Sequence, residues 1–281
     1  MPERSISGDR LAAYAAHLRA EERSPGTIEK YLRDVGALAA WLGGRAVTKE
    51  EVTAWRDALL ARGLTPSTVN SMLAAVNGFF RFTGREDCRV KFLKVQRRLF
   101  RDAGRELTRD EYERLLAAAG NSGQRRLELL MEAICATGIR VSEVRYLTVE
   151  AARRGRAEIR LKGKIRTILI PGKLCRKLLK FAQKNKTVSG EIFLTRNGTG
   201  LSRRQIWAEM KALCARAGVE PGKVFPHNLR HLFATAFYRA CRDIARLADV
   251  LGHSSIETTR IYLVTSGSEH LRQLERLRLV L

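Results

Sequence analysis

The chain has 281 residues, 45% of them hydrophobic and 29% charged, with 52 Lys and Arg against 29 Asp and Glu, a formal net charge of +23. That length and composition suit two globular domains and exclude a disordered tail or a fibre, while a charge so far beyond what solubility needs points to a polyanion, with nucleic acid the expected partner. No apolar run approaches the roughly 18 residues of a membrane span, and the opening Met1-Pro2-Glu3-Arg4 lacks a signal peptide's apolar core, so the expectation is a cytoplasmic protein with no membrane partner.

From the N-terminus, residues 8–20 are read as a first helix. Ser24-Pro25-Gly26-Thr27 opens a second, whose apolar residues Ile28, Tyr31, Leu32, Val35, Leu38 and Leu42 recur at three and four until Gly43-Gly44 stop it. Thr48-x-x-Glu51 predicts a capping box for a third helix carrying Val52, Trp55 and Leu59. Thr65-Pro66-Ser67 opens a fourth with Val69, Met72, Leu73, Val76, Phe79 and Phe80 inward. Residues 1–84 are thus expected to form a four-helix domain with Arg23, Lys30, Arg33 and Arg81 on its outer faces.

Residues 85–106 lose periodicity and gain basic charge, as a linker crossing a phosphate backbone would. Leu107-Thr108-x-x-Glu111 combines a hydrophobic staple with a capping box and starts the second domain, residues 107–265. Its expected elements are a helix with Tyr112, Leu115 and Leu116, a Leu127–Ala136 helix, a hairpin, a Leu174–Gln183 helix, a short Ile192–Thr195 strand, and a helix opened by Ser202-x-x-Gln205 with Ile206, Trp207 and Met210. Residues 1–95 hold 15 basic and 11 acidic residues, and 96–281 hold 37 and 18, so the charge excess lies with the second domain. Cys88, Cys135, Cys175, Cys214 and Cys241 are odd in number and form no Cys-x-x-Cys pair, which argues against a zinc site and a disulfide framework.

The chemistry-bearing stretches lie in this second domain. Gly138 is read as a helix stop, with a new helix capped near Ser142, which holds Arg140 in a tight corner. Glu158–Lys162 and Arg166–Ile170 flank a Gly-containing turn that puts Lys162 or Lys164 at a hairpin tip. Pro226 suits a first helical position, so His227 and Arg230, three apart, share a helix face with His231 one residue round. Leu251-Gly252-His253-Ser254-Ser255 follows, and Tyr262 lies nine residues beyond His253.

Taken in order, Ala-Thr-Gly-Ile-Arg-Val-Ser-Glu-Val (136–144), Leu-Lys-Gly-Lys-Ile-Arg-Thr (161–167), His-Asn-Leu-Arg-His-Leu-Phe-Ala-Thr (227–235) and Leu-Gly-His-Ser-Ser-Ile-Glu-Thr-Thr-Arg-Ile-Tyr-Leu (251–263) resemble the tyrosine recombinase, or phage integrase, family. The resemblance is specific in the second domain and general in the first. It implies a mainly α fold: an N-terminal helical core-binding domain and a mostly helical catalytic domain with a small antiparallel β-sheet, closing as a C-shaped clamp on DNA. It also implies site-specific recombination of double-stranded DNA through a 3′-phosphotyrosyl intermediate and a Holliday junction, by a homo-oligomer that is a dimer on each site and a tetramer in synapsis.

Strand breakage by transesterification needs a nucleophile, a base, an acid for the leaving 5′-oxygen, and cations on the non-bridging oxygens. By resemblance Tyr262 is the nucleophile and His227 its base, since only about one phenol in a thousand is ionised at neutral pH. Arg140 and Arg230 fork onto the scissile phosphate. His253 donates to a phosphate oxygen, and Glu143 holds an arginine or histidine from behind. Lys162 matches the family's acid, but the hairpin is one residue shorter than the common Lys-Gly-x-Lys-x-Arg pattern, which keeps Lys164 open. No cofactor, metal or ATP is expected. Residues 266–281, with Leu271, Leu274, Leu277 and Leu281 on one stripe, are read as a C-terminal helix for subunit contact. The competing readings are a type IB topoisomerase and a non-catalytic DNA-binding regulator on the same fold.

Overall fold

The computed structural model describes residues 6–95, 103–161, 164–253, 255–262 and 275–277, and the chain divides into two units, Met1–Arg97 and Arg98–Leu281. The fold is mainly α with a small two-stranded antiparallel sheet. No helix among the described residues is long and apolar enough to cross a membrane.

The first unit holds α1 (Gly8–Ala20), α2 (Pro25–Leu42), α3 (Lys49–Ala61) and α4 (Pro66–Phe82). Their apolar stripes meet in one core built from Tyr14, Leu18, Val35, Leu38, Val52, Trp55, Val69, Leu73, Val76 and Phe80. Ser24 and Thr65 precede prolines at the first helical position, and Thr65 accepts from the Thr68 amide at 3.3 Å. Thr48 caps α3 through the Glu51 amide at 3.3 Å, but the expected reciprocal box is not what Glu51 makes. Both its carboxylate oxygens take Arg45 Nη1, at 2.8 Å each, because a guanidinium outcompetes a backbone amide for a carboxylate. Residues 85–95, which the sequence reads as the start of the linker, pack against this unit: Cys88 is buried, and Asn77 and Asn70 on α4 each pair in both directions with a backbone amide and carbonyl, of Val90 and of Leu93.

The second unit is assembled on α6 (Arg125–Thr137), which buries Leu127, Leu129, Leu130, Met131, Ala133 and Ile134. Against it pack α5 (Arg109–Asn121), α8 (Gly172–Lys184), α9 (Arg203–Ala212) and α11 (Pro226–Cys241), while α7 (Val149–Arg154) lies on α8, α10 (Cys214–Ala217) on α5, α12 (Ile244–Leu251) on α11 and α13 (Ile256–Arg260) on α12. The capping box expected at Thr108/Glu111 is present, and the helix start expected at Ser202–Gln205 forms another. The hairpin is β1 (Arg156–Leu161) with β2 (Lys164–Leu169), and its register pairs Leu161 with Lys164.

Two expectations change. The helix expected from a cap near Ser142 is a 3-10 turn over Val141–Tyr146 capped one residue earlier than Val141, at Arg140, because Glu143 reaches back to the Arg140 amide at 3.0 Å. The Ile192–Thr195 strand is not formed: Leu194 makes an isolated bridge with Gly200, Glu191 just before the stretch makes another with Thr148, and Ile192 and Phe193 turn into the core. Its apolar residues reflect burial, not a ladder.

Candidate functional site

The site grows from the end of a short helix. α12 stops where Gly252 adopts φ +62, and a side chain there would overlap the Arg166 stem, so the chain can turn over that stem only with glycine. The turn leaves carbonyls without intrahelical partners. Three successive ones are taken by three guanidinium groups: Val250 by Arg166 Nη2 at 3.0 Å, Leu251 by Arg230 Nη2 at 2.7 Å, and Gly252 by Arg140 Nη2 at 3.3 Å. The negative end of a helix dipole favours cations there.

Each arginine comes from a different element. Arg230 lies on α11, is 2% exposed, and also donates to the Gly138 carbonyl at the end of α6. Gly138, at φ +62, is a second place where only glycine fits, because a Cβ would strike the Phe233 ring. Arg140 follows two residues later and keeps part of its guanidinium in solvent. Arg166 comes from β2, on the inward strand face that it shares with the buried Ile168. One carboxylate, Glu143, answers the three. It is 2% exposed, bonds Arg140 Nη1 at 2.8 Å through Oε1, and accepts Arg166 Nη1 at 3.2 Å through Oε2.

The charge balance leaves the site cationic. Burial pushes the Arg230 guanidinium below its ordinary range, with Arg140's like charge adding to it, and burial lowers Arg166 to about 10 despite Glu143. His253 feels both effects: burial and then Arg230, Arg140 and Arg166 hold it down at about 4. Its neutral ring has one arrangement consistent with its neighbours. Nε2 lies 3.0 Å from Arg230 Nη2, which can only donate, so Nε2 accepts and Nδ1 carries the proton to Thr259 Oγ1 at 2.9 Å. Thr259 is fully buried on α13, and its carbonyl accepts the Tyr262 amide at 2.9 Å, which ties this histidine to the tyrosine's backbone.

Tyr262 lies two residues past α13 and is 4% exposed, against Ala234, Leu247 and Leu251. Three imidazoles surround its ring: His253 stacked at 5.8 Å, His231 at 5.1 Å and the exposed His227 at 6.2 Å between centroids. Its phenol is among the groups that support the Arg230 charge.

Arg140, Glu143, His227, Arg230, His253 and Tyr262 are therefore brought together. Lys162 lies outside the described residues, and Lys164 is the first residue of β2. Two participants escaped the sequence reading. Arg166 had a legible signal, a charged residue in register with a buried strand face; Thr259, one of two adjacent threonines, had none. What this constellation can do is hold a tetrahedral anion against a phenol, with a cation excess on one side and imidazoles on the other. Among the described residues no cluster of His, Cys, Asp and Glu suits a metal ion.

Compared with known proteins, residues 105–268 match the model of the phage integrase family, and residues 11–87 match its N-terminal SAM-like domain. Tyrosine recombinase XerD of Caulobacter vibrioides is 36% identical over 79% of this chain and 78% of its own. Tyrosine recombinase XerA of Pyrococcus furiosus is 28% identical over 100% and 98%. Among solved structures, a lambda integrase tetramer bound to a Holliday junction superposes with a TM-score of 0.74 at 19% identity, covering 92% of this chain and 77% of that one. XerH recombinase bound to a difH substrate gives 0.69 at 19%, covering 95% and 84%.

Proposed function

Since the chain belongs to the phage integrase family, the tyrosine-type site-specific DNA recombinases, we propose that Tyr262 cleaves one DNA strand at a specific site and holds it as a 3′-phosphotyrosyl ester. The observation that carries this reading is the burial of Tyr262 beside Arg230 and three imidazoles, all from the same chain. Tyr262 Oη bonds to phosphorus as the P–O5′ bond breaks. The phenol proton passes to His227, and a hairpin lysine, Lys162 or Lys164, gives one to the leaving 5′-oxygen.

Arg140 and Arg230 take the non-bridging oxygens. Both already have part of their donor set fixed on the α12 carbonyls, so little reorganisation accompanies charge build-up. His253 changes role on binding. An arriving phosphodiester competes for Arg230 and supplies negative charge, so the ring can take a second proton on Nε2 and donate to the phosphate while Nδ1 keeps Thr259. Two arginines, a lysine and histidines supply the positive charge, so the proposed reaction calls for no metal, and the ester conserves bond energy, so it calls for no ATP.

A free 5′-hydroxyl from a partner strand then attacks the phosphotyrosyl bond. Repeating the exchange on the second strand passes through a Holliday junction, with a dimer on each site and a tetramer in synapsis. The test uses a nicked target site that loses its 5′ fragment on cleavage. Wild-type protein is expected to form a covalent adduct on a denaturing gel, and Tyr262→Phe to bind with little change but form none, because a single hydroxyl is lost from a phosphate-dominated interface. An adduct persisting in the Phe variant would refute the assignment.

A further inference from the structure

We propose that Arg166 is a positioning residue of the cleavage reaction: from behind Glu143 it fastens the hairpin, the Arg140 corner and the His253 turn into one body. The inference deepens the recombinase reading and rests on it. The Arg166 side chain is only 11% exposed. Its guanidinium is spent inward, Nη1 on both Glu143 oxygens at 3.2 and 3.5 Å and Nη2 on the Val250 carbonyl at 3.0 Å. Its stem fills the space that the missing Cβ of Gly252 leaves.

The connections run to Arg140, to Arg230 and to the turn that carries His253. Glu143 fixes Arg140 twice, through the backbone amide and through Nη1. The Val250–Gly252 turn sets where His253 emerges and supplies the carbonyls that hold Arg230 and Arg140. Strand β2, which carries Arg166, begins at Lys164, directly after Lys162 and Gly163 in the chain. A hairpin is a poorly anchored element by itself, since two strands alone have marginal stability. Of its inward side chains, Ala157, Ile159 and Ile168 anchor it through apolar packing, which resists slippage weakly; the guanidinium adds directional bonds to a carboxylate and a carbonyl. Arg166 thus ties strand β2 to the Glu143–Arg140 corner and to the Val250 turn from behind.

A lysine could keep the charge but not the span, because one ammonium cannot present the paired planar donors that reach Glu143 and Val250 together. The experiment compares wild type, Arg166→Ala, Arg166→Lys and Arg126→Ala. Arg126 serves as the comparator for a merely structural role, since it bonds the Leu194 carbonyl and Glu209 on other elements. Three quantities are read below each variant's melting temperature: single-site binding by gel shift, single-turnover cleavage of the nicked site, and the titration of the His253 ring by NMR without DNA.

For Arg166→Ala the expected result is binding within about threefold of wild type and cleavage slower by about 30-fold or more, the size of effect that misplacement of a reacting group gives. The His253 midpoint should rise, since one of the cations holding it down is gone. Arg166→Lys should restore the His253 midpoint while leaving cleavage well below wild type, and if the Ala variant does not fold, this split carries the test. Arg126→Ala should change neither quantity. Cleavage by Arg166→Ala within twofold of wild type, full recovery by Arg166→Lys, or an unmoved His253 midpoint would overturn the proposal. A wild-type protein forming no adduct would instead refute the recombinase reading, and the His253 titration, which needs no DNA, would still decide whether Arg166 acts on that turn.

Discussion

Glu143→Gln isolates the one negative charge in the guanidinium cluster. The substitution preserves size and one acceptor oxygen, but leaves Arg140 and Arg166 facing a neutral amide whose NH2 must point at one of them. Removing one partner of a buried ion pair costs about 3–5 kcal/mol. Here Glu143 is 2% exposed and the Arg166 side chain 11%, so that end of the pair takes the full effect, whereas the Arg140 side chain is 40% exposed and water screens it. Discounting the Arg140 end and crediting the retained oxygen leaves about 2–3 kcal/mol. For a unit of this size each kcal/mol moves the midpoint by about 2–4 °C, so the catalytic unit should melt about 4–12 °C lower. Scanning calorimetry can follow its transition apart from that of the N-terminal unit, which should not move. Cleavage should fall as well, measured below the new midpoint, because Arg140 loses its charged partner and keeps the Gly252 carbonyl as its remaining full-strength anchor. A catalytic-unit midpoint within 2 °C of wild type would refute the claim that this carboxylate organises the cluster.

The lysine register has its own test: Lys162→Ala should slow cleavage strongly and Lys164→Ala much less, and a substrate with a 5′-bridging sulfur, whose thiolate leaves without a proton, should rescue only the variant that lacks the acid. Rescue of Lys164→Ala instead would move the assignment by two residues. The depressed His253 gives a signed pH dependence. The unfolded ring titrates near 6.5 and the folded one at about 4, so between these values the unfolded chain binds a proton that the folded one refuses, and stability falls as pH drops through that window. Because the ring is partly solvated, the loss should amount to about 1–2 kcal/mol by denaturant titration at pH 7 and 4.5, and it should vanish in His253→Gln. Deleting residues 268–281, most of which lie outside the described residues, should spare single-site binding by gel shift but abolish recombination between two sites on one plasmid. Full recombination by the truncated chain would return the tail to a role within its own protomer, and relaxation of the plasmid without exchange would favour topoisomerase chemistry.

How much of this could be read from residues alone depends on how local the physics is. Helices were legible because capping and apolar spacing are short-range: Thr108 with Glu111, Ser202 with Gln205 and Pro226 at a first helical position each carry their instruction within four residues. The family motifs singled out Arg140, His227, Arg230, His253 and Tyr262 as site residues. What failed was competition between partners and pairing across the chain. The Glu51 carboxylate could turn to the Thr48 amide or to Arg45, six residues before it, and spacing cannot decide between an amide and a guanidinium. Ile192–Thr195 has the composition of a strand but finds no partner strand beyond isolated bridges. For Arg166 the strand register was legible but its partner was not, since its Nη2 pairs with a carbonyl 84 residues away in sequence.

That separation explains the order in which the site is built. A phosphate pocket made only of cations would repel itself when empty, and burial makes the repulsion worse, as the lowered Arg230 and Arg166 show. A single carboxylate cannot offset three guanidiniums. The remaining compensation comes from backbone: the Val250, Leu251 and Gly252 carbonyls lie at the negative end of α12, each holding one guanidinium. Carbonyl dipoles stabilise a cation without neutralising it, so the site keeps an excess of positive charge for the phosphate of the proposed reaction while the donors stay oriented. Additional carboxylates would have held the arginines more tightly but cancelled the charge that the proposed transition state calls for. The Leu-Gly-His sequence at 251–253 therefore does more than place His253: its glycine lets the helix end fold over Arg166, and its carbonyls are what keep two further arginines aimed before any DNA arrives.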